Sequence, residues 1–248
     1  MRLYDDHSSP NFDARKGGQK PELVVVHYTG MESTQAVLDK FADPASKVSC
    51  HYLIDEKGNI YKLVDEEKRA WHAGVSSWMG KDDVNSRSIG IEISNGNGDP
   101  YTKEQLFSLT LLIKDIQQRH HIKPENIVGH SDVAPDRKQD PGAHFPWQKL
   151  SRQDIGRWPK PTIKDKFNAA AAAKSPHQLK ALLKEAGYGV NAFGPNKPKL
   201  KELVMAFQRR YEPEVFKDKN GEPGKATAST AAKLRAVARM NTFANKKP

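Results

Sequence analysis

Residues Leu23–Tyr28 (LVVVHY) form a run that begins with four consecutive apolar side chains, three of them β-branched valines. A strand that is covered on both faces has this composition, whereas a strand with one face in water alternates apolar and polar residues. Because both faces of such a strand must be buried, the run predicts a central strand of a sheet that is packed by helices.

Outside this strand, the first 158 residues alternate between strand-like and helix-like patterns. Short strand-like runs occupy residues 51–54, 60–64, 88–94 and 127–129. The turn-forming residues between the first two runs predict a β-hairpin. Helix-like spacing covers residues 33–41, capped by Ser33 or Thr34, and residues 102–121, which begin with a Thr-x-x-Gln capping box. This order predicts an α/β fold with a mixed central sheet flanked by helices.

The composition changes after Trp158. Residues 159–174 contain two prolines and a stretch rich in alanine and lysine, which predicts a linker that could include a short helix. Three helix-like segments follow, at residues 178–186, 200–211 and 230–240. The chain is therefore predicted to have a first domain over residues 1–158, a linker over 159–174, and a second, small three-helix domain over 175–248.

Positive charge is concentrated in the last third of the chain. The net charge is +10; residues 1–160 hold 22 Lys and Arg against 23 Asp and Glu, and residues 161–248 hold 18 against 7. A cationic module beside a near-neutral one predicts docking on a polyanion. The alternative is a lysine-rich surface that only aids solubility. Nucleic acid is not the expected partner, because the segment has no recognition-helix or RNA-stacking signature.

Cysteine content and hydropathy limit the class of protein further. The single cysteine, Cys50, excludes an internal disulfide and a thiolate-rich metal site. No apolar run approaches membrane-spanning length, so we predict no membrane-spanning segment. The first 20 residues lack the apolar region of a secretory signal. The protein is then either cytoplasmic, or a mature form whose leader has been replaced by Met1.

Residues 129–142 (GHSDVAPDRKQDPG) place an imidazole, an ammonium and a carboxylate within ten residues, on a loop whose prolines and glycines break helix and strand. A second histidine, His27, lies at the end of the Leu23–Tyr28 strand. Strands of one sheet can deliver their C-terminal residues to a common edge. His27, His130 and Asp140 therefore form a candidate zinc site with an open fourth position. Taken singly, each histidine is more often a satisfied structural residue.

Two charged residues are candidates for catalysis. Glu92 lies within a strand-like run, on the face opposite the isoleucines, where it could point into a cleft. Lys138 lies two residues before Asp140, where its ammonium could neutralise an oxyanion beside a metal. The plain alternatives are a glutamate on the wet face of an edge strand and a solvated loop lysine.

A loop after the predicted hairpin holds Trp71 and His72. Such residues could form a platform for a sugar or a peptide, and a partly buried loop anchor is the alternative. His51 lies at a strand start and is interpreted as a cleft residue or as a partner of the metal ligands, not as a ligand itself.

Five short blocks occur in an order that resembles a known family. They are Val26-His27-Tyr28-Thr29, Ser49-x-His51-Tyr52, Ala70-Trp71-His72-Ala73-Gly74, Asn85-x-x-Ser88-Ile89-Gly90-Ile91-Glu92, and Gly129-His130-Ser131-Asp132 through Asp140-Pro141-Gly142. The ordered set resembles the zinc-dependent N-acetylmuramoyl-L-alanine amidases of type 2, which are related to peptidoglycan recognition proteins and phage amidase lysozymes. The resemblance covers residues 21–158.

The resemblance implies a zinc hydrolase that cleaves the amide bond between N-acetylmuramic acid and L-alanine in peptidoglycan or muropeptides. It implies one zinc ion per chain, bound by His27, His130 and Asp140. It also implies a catalytic pair, Glu92 and Lys138. The residues expected to bind the substrate are His51, Trp71, His72 and Asn85.

One position departs from the phage members of the family. They carry a tyrosine where this chain has Cys50. Since a thiol cannot replace that phenol, the acid–base work is expected to fall to Glu92.

Residues 175–248 are similar to the three-helix peptidoglycan-binding module of some of these amidases. The similarity rests on Leu182-Leu183, Gly187-Tyr188-Gly189, Ala206-Phe207-Gln208 and Asn220-Gly221. An attached wall-binding module favours the cell envelope or periplasm, with the cytoplasm as the alternative, and we expect a monomer. The alternative function is a peptidoglycan-recognition protein without turnover, against which the intact metal-ligand set argues.

Overall fold

The structure, a computed structural model, describes residues 2–96, 99–190 and 197–244, with side chains as far as residue 242. The strands are β1 (Leu3–Tyr4), β2 (Phe12–Ala14), β3 (Leu23–Tyr28), β4 (Tyr52–Ile54), β5 (Ile60–Lys62), β6 (Lys68–Ala70), β7 (Ser77–Trp78), β8 (Lys81–Asp82), β9 (Ser88–Ile93) and β10 (Ile127–Gly129). The helices are α1 (Thr34–Ala42), α2 (Val84–Arg87), α3 (Lys103–His120), α4 (His130–Val133), α5 (Trp147–Leu150), α6 (Ile163–Lys166), α7 (Ala169–Ala173), α8 (Pro176–Glu185), α9 (Leu200–Tyr211) and α10 (Ala228–Ala244).

Six strands form one mixed sheet in the order β1-β5-β4-β9-β3-β10. All neighbouring strands run parallel except β4 and β5, which form the predicted antiparallel hairpin. Strand β3 lies inside this sheet, between β9 and β10, as its apolar run predicted. The mixed sheet with helices on both faces confirms the predicted α/β class.

The two faces of β3 pack against different layers. Leu23 and Val25 belong to a cluster with side chains of α8, α9 and α10, and Val24 and Val26 belong to a cluster with side chains of α3. Alternate side chains of a strand point to opposite faces, which explains this division. All four are fully buried, and each contributes about 1.5–3 kcal/mol by leaving water. The sheet is therefore the middle of three layers.

The helices of the first part begin at the predicted caps. The Thr102 hydroxyl accepts a hydrogen bond from the Gln105 N–H, and the Gln105 side chain accepts one from the Thr102 N–H. At the start of α1 the Ser33 hydroxyl accepts from the Ala36 N–H. Both helix predictions in this part are confirmed.

Residues 159–174 differ from the predicted linker, because they hold α6 and α7, and both helices pack against α10. Ala169 and Ala172 of α7 are buried against Ala231 and Ala232 of α10. Because alanine side chains are small, the alanine-rich stretch that suggested a spacer instead lets α7 pack closely against α10.

The three predicted C-terminal helices are present as α8, α9 and α10, but they share one core with the sheet. A buried salt bridge links Arg210 Nη1 in α9 to Asp132 Oδ2, at 2.6 Å, just after β10. The Tyr188 hydroxyl, after α8, donates to the other oxygen of Asp132. The change in composition near residue 158 therefore does not separate two independent hydrophobic cores. Across the described ranges, none of the helices has both the length and the apolar character needed to cross a membrane.

Candidate active site

Three neighbouring parallel strands carry polar side chains near their carboxyl ends. His27 in β3 is the register partner of Glu92 in β9, so the two side chains share one face of the sheet. His130 directly follows β10, whose last residue pairs with Val26. Because parallel strands end at the same edge, β3, β9 and β10 deliver these three side chains to one place.

The three candidate metal ligands converge there. His27 Nδ1 lies 2.9 Å from His130 Nδ1 and 2.9 Å from Asp140 Oδ2. His130 Nδ1 lies 3.0 Å from the same carboxylate oxygen. All three residues are buried. The remaining ring nitrogens point away, with His27 Nε2 at 3.0 Å from His72 Nδ1 and His130 Nε2 at 3.2 Å from the Ala73 carbonyl oxygen.

The chain after β10 returns to place Asp140 beside the histidines. Residues His130–Val133 form a single helical turn, where the sequence predicted no regular structure. The Ser131 N–H donates to the Asp140 carbonyl at 2.9 Å, closing the loop. A Cβ at Gly129 would lie 2.6 Å from Pro141 Cδ, so only glycine allows this close return.

Burial and mutual charge set the ionisation of the cluster. Burial, followed by the positive charge of His130, lowers the pKa of His27 to about 4. Burial alone would raise the pKa of Asp140, but the neighbouring His130 and His27 hold it well below its usual range. At neutral pH His27 is thus a neutral imidazole and Asp140 a carboxylate, which are the states that ligate metals.

A cavity of about 150 Å³ lies against the cluster, and both Glu92 and Lys138 line it. Burial, followed by the negative charge of Asp140, raises the pKa of Glu92 to about 8. Among the described residues, the buried Glu92 Oε2 has no hydrogen-bond partner. A buried polar atom without a partner is rare and indicates a strained, catalytic or ligand-binding role.

Trp71 and His72 also line this cavity. Trp71 is partly exposed, and its indole N–H donates to Asp13 Oδ1 at 3.2 Å. His72 is buried behind His27, with one ring nitrogen directed to His27 Nε2 and the other to the Ser88 hydroxyl. The two neighbours in sequence therefore contribute differently, one as part of the cavity wall and one as support for a candidate ligand.

The structure places His51 and Asn85 away from the cavity, in contrast to their expected contact with substrate. His51 is fully buried; its Nδ1 accepts from the Gly90 N–H at 2.9 Å, and its Nε2 lies 3.1 Å from the Lys68 carbonyl oxygen. The Asn85 side-chain oxygen accepts from the N–H groups of His72 and Ala73. Both side chains support backbone near the site. A matched sequence block does not separate supporting residues from contacting ones, so substrate binding by His51 and Asn85 stays a prediction.

Cys50 is fully buried, and its thiol donates to the Tyr52 carbonyl oxygen at 3.1 Å. Burial raises the pKa of this thiol well above its usual value. A thiol in that state is neutral at physiological pH and cannot serve as a base.

Known proteins are similar to this chain over most of its length. Residues 17–143 match the N-acetylmuramoyl-L-alanine amidase family of type 2 amidases. The chain is also 38% identical to the N-acetylmuramoyl-L-alanine amidase AmiD of Escherichia coli K12 over 234 residues, which cover 86% of this chain and 82% of AmiD. The chain belongs to the type 2 N-acetylmuramoyl-L-alanine amidase family.

Solved structures extend the likeness of this amidase to the whole fold. A complex of E. coli AmiD with the substrate anhydro-N-acetylmuramic acid-L-Ala-D-γ-Glu-L-Lys aligns with a TM-score of 0.76 and 33% identity, covering 92% of each chain. AmpDh3 of Pseudomonas aeruginosa, in complex with an anhydromuramic pentapeptide, aligns with a TM-score of 0.76 and 32% identity, covering 91% of this chain and 94% of AmpDh3. Haemophilus influenzae AmpD, a 1,6-anhydro-N-acetylmuramyl-L-alanine amidase, is 38% identical but covers only 57% of this amidase and 86% of its own length. The C-terminal helices are therefore shared with AmiD and AmpDh3.

Three residues that support the site were missed by the sequence analysis. Ser88 contacts His72, and Asp132 accepts hydrogen bonds from the Gly129 N–H and from Arg210. Ser88 and Asp132 lie inside the sequence blocks that resemble the family, but the blocks did not indicate what either residue does. Arg210 had no signal, because its partner is 78 residues away along the chain.

Proposed function

We propose that this amidase hydrolyses the amide bond between the lactyl group of N-acetylmuramic acid and L-alanine, with a zinc ion bound by His27, His130 and Asp140. The observation that carries the proposal is the convergence of two imidazole nitrogens and one carboxylate oxygen within 3.0 Å of one another. This cluster lies at a cavity that Glu92 and Lys138 also line, in a chain of the amidase family.

The donor set fits zinc on chemical grounds. Two imidazoles and one carboxylate are typical of catalytic zinc, which keeps a fourth position open. Three electron-rich atoms this close together repel one another unless a metal cation or a shared proton lies among them. When bound in such a site, zinc supplies Lewis-acid chemistry that activates water and polarises a carbonyl group. We expect one zinc ion per chain.

Glu92 is proposed to move the proton during hydrolysis. Its carboxylate would accept the proton of the attacking water molecule as the new C–O bond forms at the amide carbon. The same proton would then pass to the nitrogen of L-alanine as the C–N bond breaks. A pKa raised to about 8 suits both halves of this transfer, because a group that titrates near neutral pH can both accept and release a proton.

Lys138 and Trp71 are proposed to act on the substrate. The Lys138 ammonium lines the cavity beside Asp140 and would stabilise the negative charge that develops on the amide carbonyl oxygen. The Trp71 indole would pack against the sugar or the first residues of the stem peptide, since it is a partly exposed aromatic ring of the cavity wall.

We also propose that the substrate includes soluble anhydromuramoyl peptides, which are the molecules bound in the AmiD and AmpDh3 structures. Intact sacculus is a second substrate form, supported by the excess positive charge of residues 161–248, which would attract the carboxylates of polymer stem peptides. That activity would place the monomeric protein in the cell envelope, with the cytoplasm as the alternative compartment. The helical segment 175–248 would then contribute the wall-binding surface.

The test is digestion of an anhydromuramoyl tripeptide and of purified sacculi in parallel, with products identified by mass spectrometry. We expect release of the free tripeptide, loss of that release in EDTA, and its return on adding zinc. Release that persists in EDTA, or cleavage at another bond, would contradict the proposal. Cleavage of the soluble substrate but not of sacculi would reject the polymer as a substrate and leave the reaction itself intact.

A further inference from the structure

A line of polar groups leads from His27 away from the cavity into the protein. His27 Nε2 lies 3.0 Å from His72 Nδ1, and His72 Nε2 lies 3.1 Å from Ser88 Oγ. The Ser88 hydroxyl in turn lies 2.6 Å from the Val84 carbonyl oxygen. Each of the three side chains is buried, so bulk water has little access to these hydrogen bonds.

The end of this line decides the position of every proton along it. A carbonyl oxygen only accepts, so the Ser88 hydroxyl must donate its single proton to Val84. Ser88 Oγ can then only accept, and it takes the proton of His72 Nε2. A neutral imidazole carries one ring proton, so His72 Nδ1 accepts from His27 Nε2. His27 Nδ1 is thereby left with a free lone pair, directed at the metal position.

The tautomer of His130, the second candidate ligand, is fixed by Ala73, the residue that follows His72. His130 Nε2 lies 3.2 Å from the Ala73 carbonyl oxygen and must donate to it, which leaves His130 Nδ1 as the free lone pair. The Asn85 side-chain oxygen accepts from the N–H groups of both His72 and Ala73, at 3.2 and 2.7 Å. One buried amide therefore holds the backbone that serves both candidate ligands.

Packing also restricts the His72 ring. A Cβ built at Gly90 in β9 would lie 2.4 Å from His72 Cγ, so the ring lies directly on the strand backbone. The same strand carries Ser88 at its start. One face of the His72 ring thus packs on the backbone of β9, and its Nε2 contacts the Ser88 hydroxyl.

We infer that His72 is a positioning residue of the metal site: with Ser88 and Asn85 it selects the tautomer of His27 and so prepares Nδ1 to bind the metal. This inference rests on the proposed function, because it concerns the same zinc site. Outer partners of metal-bound histidines typically contribute about 10–100-fold to metal affinity. Ser88 belongs to this arrangement because the neutral imidazole of His72 can accept from His27 only when Ser88 fixes the tautomer of His72.

The test combines zinc affinity with direct observation of the tautomers in the full-length protein. Zinc is titrated into metal-free protein against a chromophoric chelator of known affinity. Ring tautomers are read from long-range ¹H–¹⁵N correlation spectra of the zinc-loaded wild type, because without metal Asp140 can draw the proton of His27 to Nδ1. We expect His27 and His72 each to carry the proton on Nε2.

Four variants separate positioning from simple burial. We expect His72→Ala to weaken zinc binding about 10–100-fold. His72→Asn should recover most of that affinity, because its amide oxygen can accept from His27 Nε2. Ser88→Ala should weaken binding by less, with His72 in mixed tautomers. The control is Ser86→Ala, an equally buried serine whose hydroxyl donates to Asp83 instead, and it should leave zinc affinity unchanged.

The inference is overturned if His72→Ala binds zinc within about twofold of wild type, or if His72 carries its proton on Nδ1. Should His72→Ala fail to fold, the comparison of Ser88→Ala with Ser86→Ala and the wild-type tautomers decide the matter. A wild type that binds no zinc overturns the proposed function as well. A wild type that binds zinc, together with an unaffected His72→Ala, overturns this inference alone.

Discussion

Two side chains of the site illustrate how neighbours in space determine chemistry at the scale of a residue. Glu92 and His27 are register partners on adjacent strands, yet the pKa of Glu92 is raised and that of His27 is lowered. In both cases burial is the largest cause, because a low-dielectric surrounding disfavours the charged form of each group. The pair thus places a carboxyl group that titrates near neutral pH beside an imidazole that stays neutral.

Replacing Glu92 tests its proposed proton transfer. Glu92→Gln keeps the shape but cannot accept a proton, so we expect kcat for muropeptide hydrolysis to fall about 10²–10⁴-fold. Zinc content should be unchanged, because Glu92 is not among the three converging ligands. Glu104→Gln, an exposed glutamate in the first turn of α3, is the control and should retain full activity. A Glu92→Gln enzyme with near-normal kcat would exclude this role.

Gly90 lies where a side chain would strike His72. Gly90→Ala would place its Cβ 2.4 Å from His72 Cγ, and since strand and ring are both buried, we expect a loss of about 1–3 kcal/mol in unfolding free energy. Urea denaturation measures the loss. Gly96→Ala is the control, since a Cβ there meets nothing within 4 Å. Equal stability of the two variants would show that the ring can move aside.

At the scale of elements, one partly buried carboxylate ties the end of α3 to the sheet. Glu66 accepts from the Tyr52 hydroxyl of β4 and from Arg119 and His120 at the end of α3. Burial alone would raise the pKa of Glu66, but hydrogen bonds from Arg119, His120 and Tyr52 outweigh it and lower the pKa to about 2. The C-terminal end of a helix favours cations, which suits the position of Arg119 in the last turn.

The lowered pKa of Glu66 predicts a pH dependence of stability. A carboxyl group with a lower pKa in the folded state contributes its full stability above its unfolded pKa of 4.5 and loses it as the pH falls towards 2. Because Arg119 is 41% exposed, we expect only about 1–2 kcal/mol after solvent screening.

Urea unfolding of Glu66→Gln measures this contribution. The variant should lose it at pH 7 and differ less from wild type at pH 3. Its exposed neighbour Glu67 supplies the control, Glu67→Gln, which should match wild type at both pH values. A Glu66→Gln deficit that grows as the pH falls would reverse the sign and refute the assignment.

At the scale of the whole molecule, the C-terminal helices complete the core on one face of the sheet. Arg210 is their main polar connection: it donates to Asp132 and to the Ile127 carbonyl oxygen, and it stacks over the Trp147 ring at 4.1 Å. Asp132 also accepts from the Gly129 N–H, directly before the candidate ligand His130. The helices therefore brace the metal loop as well as the core.

Removing Arg210 should destabilise the whole molecule. Arg210→Met leaves Asp132 as a buried charge without its cation, and we expect a loss of about 3–5 kcal/mol in unfolding free energy. Arg239→Met is the control, since the Arg239 side chain in its pair with Asp165 is 36% exposed and should be worth less than about 1 kcal/mol. Thermal unfolding of both variants provides the measurement. A smaller loss for Arg210→Met than for Arg239→Met would mean that the two regions are independent.

The sequence by itself determined the layers and the chemistry of the ligands. The apolar run of β3 required cover on both faces, the capping box located α3, and two strand-end histidines with one loop carboxylate indicated a metal site. These features are local, because a strand's composition reports its burial and a cap acts within four residues of its partner. Such local patterns can therefore be recognised in the sequence without knowledge of the fold.

Only the tertiary structure decided what lies behind the ligands. The roles of His51, Asn85 and Ser88, and the shared core of sheet and C-terminal helices, depend on contacts between segments distant along the chain. A sequence block that resembles a family identifies the residue type at a position, but it does not identify the residues that contact it in space. A hydrogen bond such as Arg210 to Asp132 has no local pattern, since it forms only when the packed core brings its two partners together.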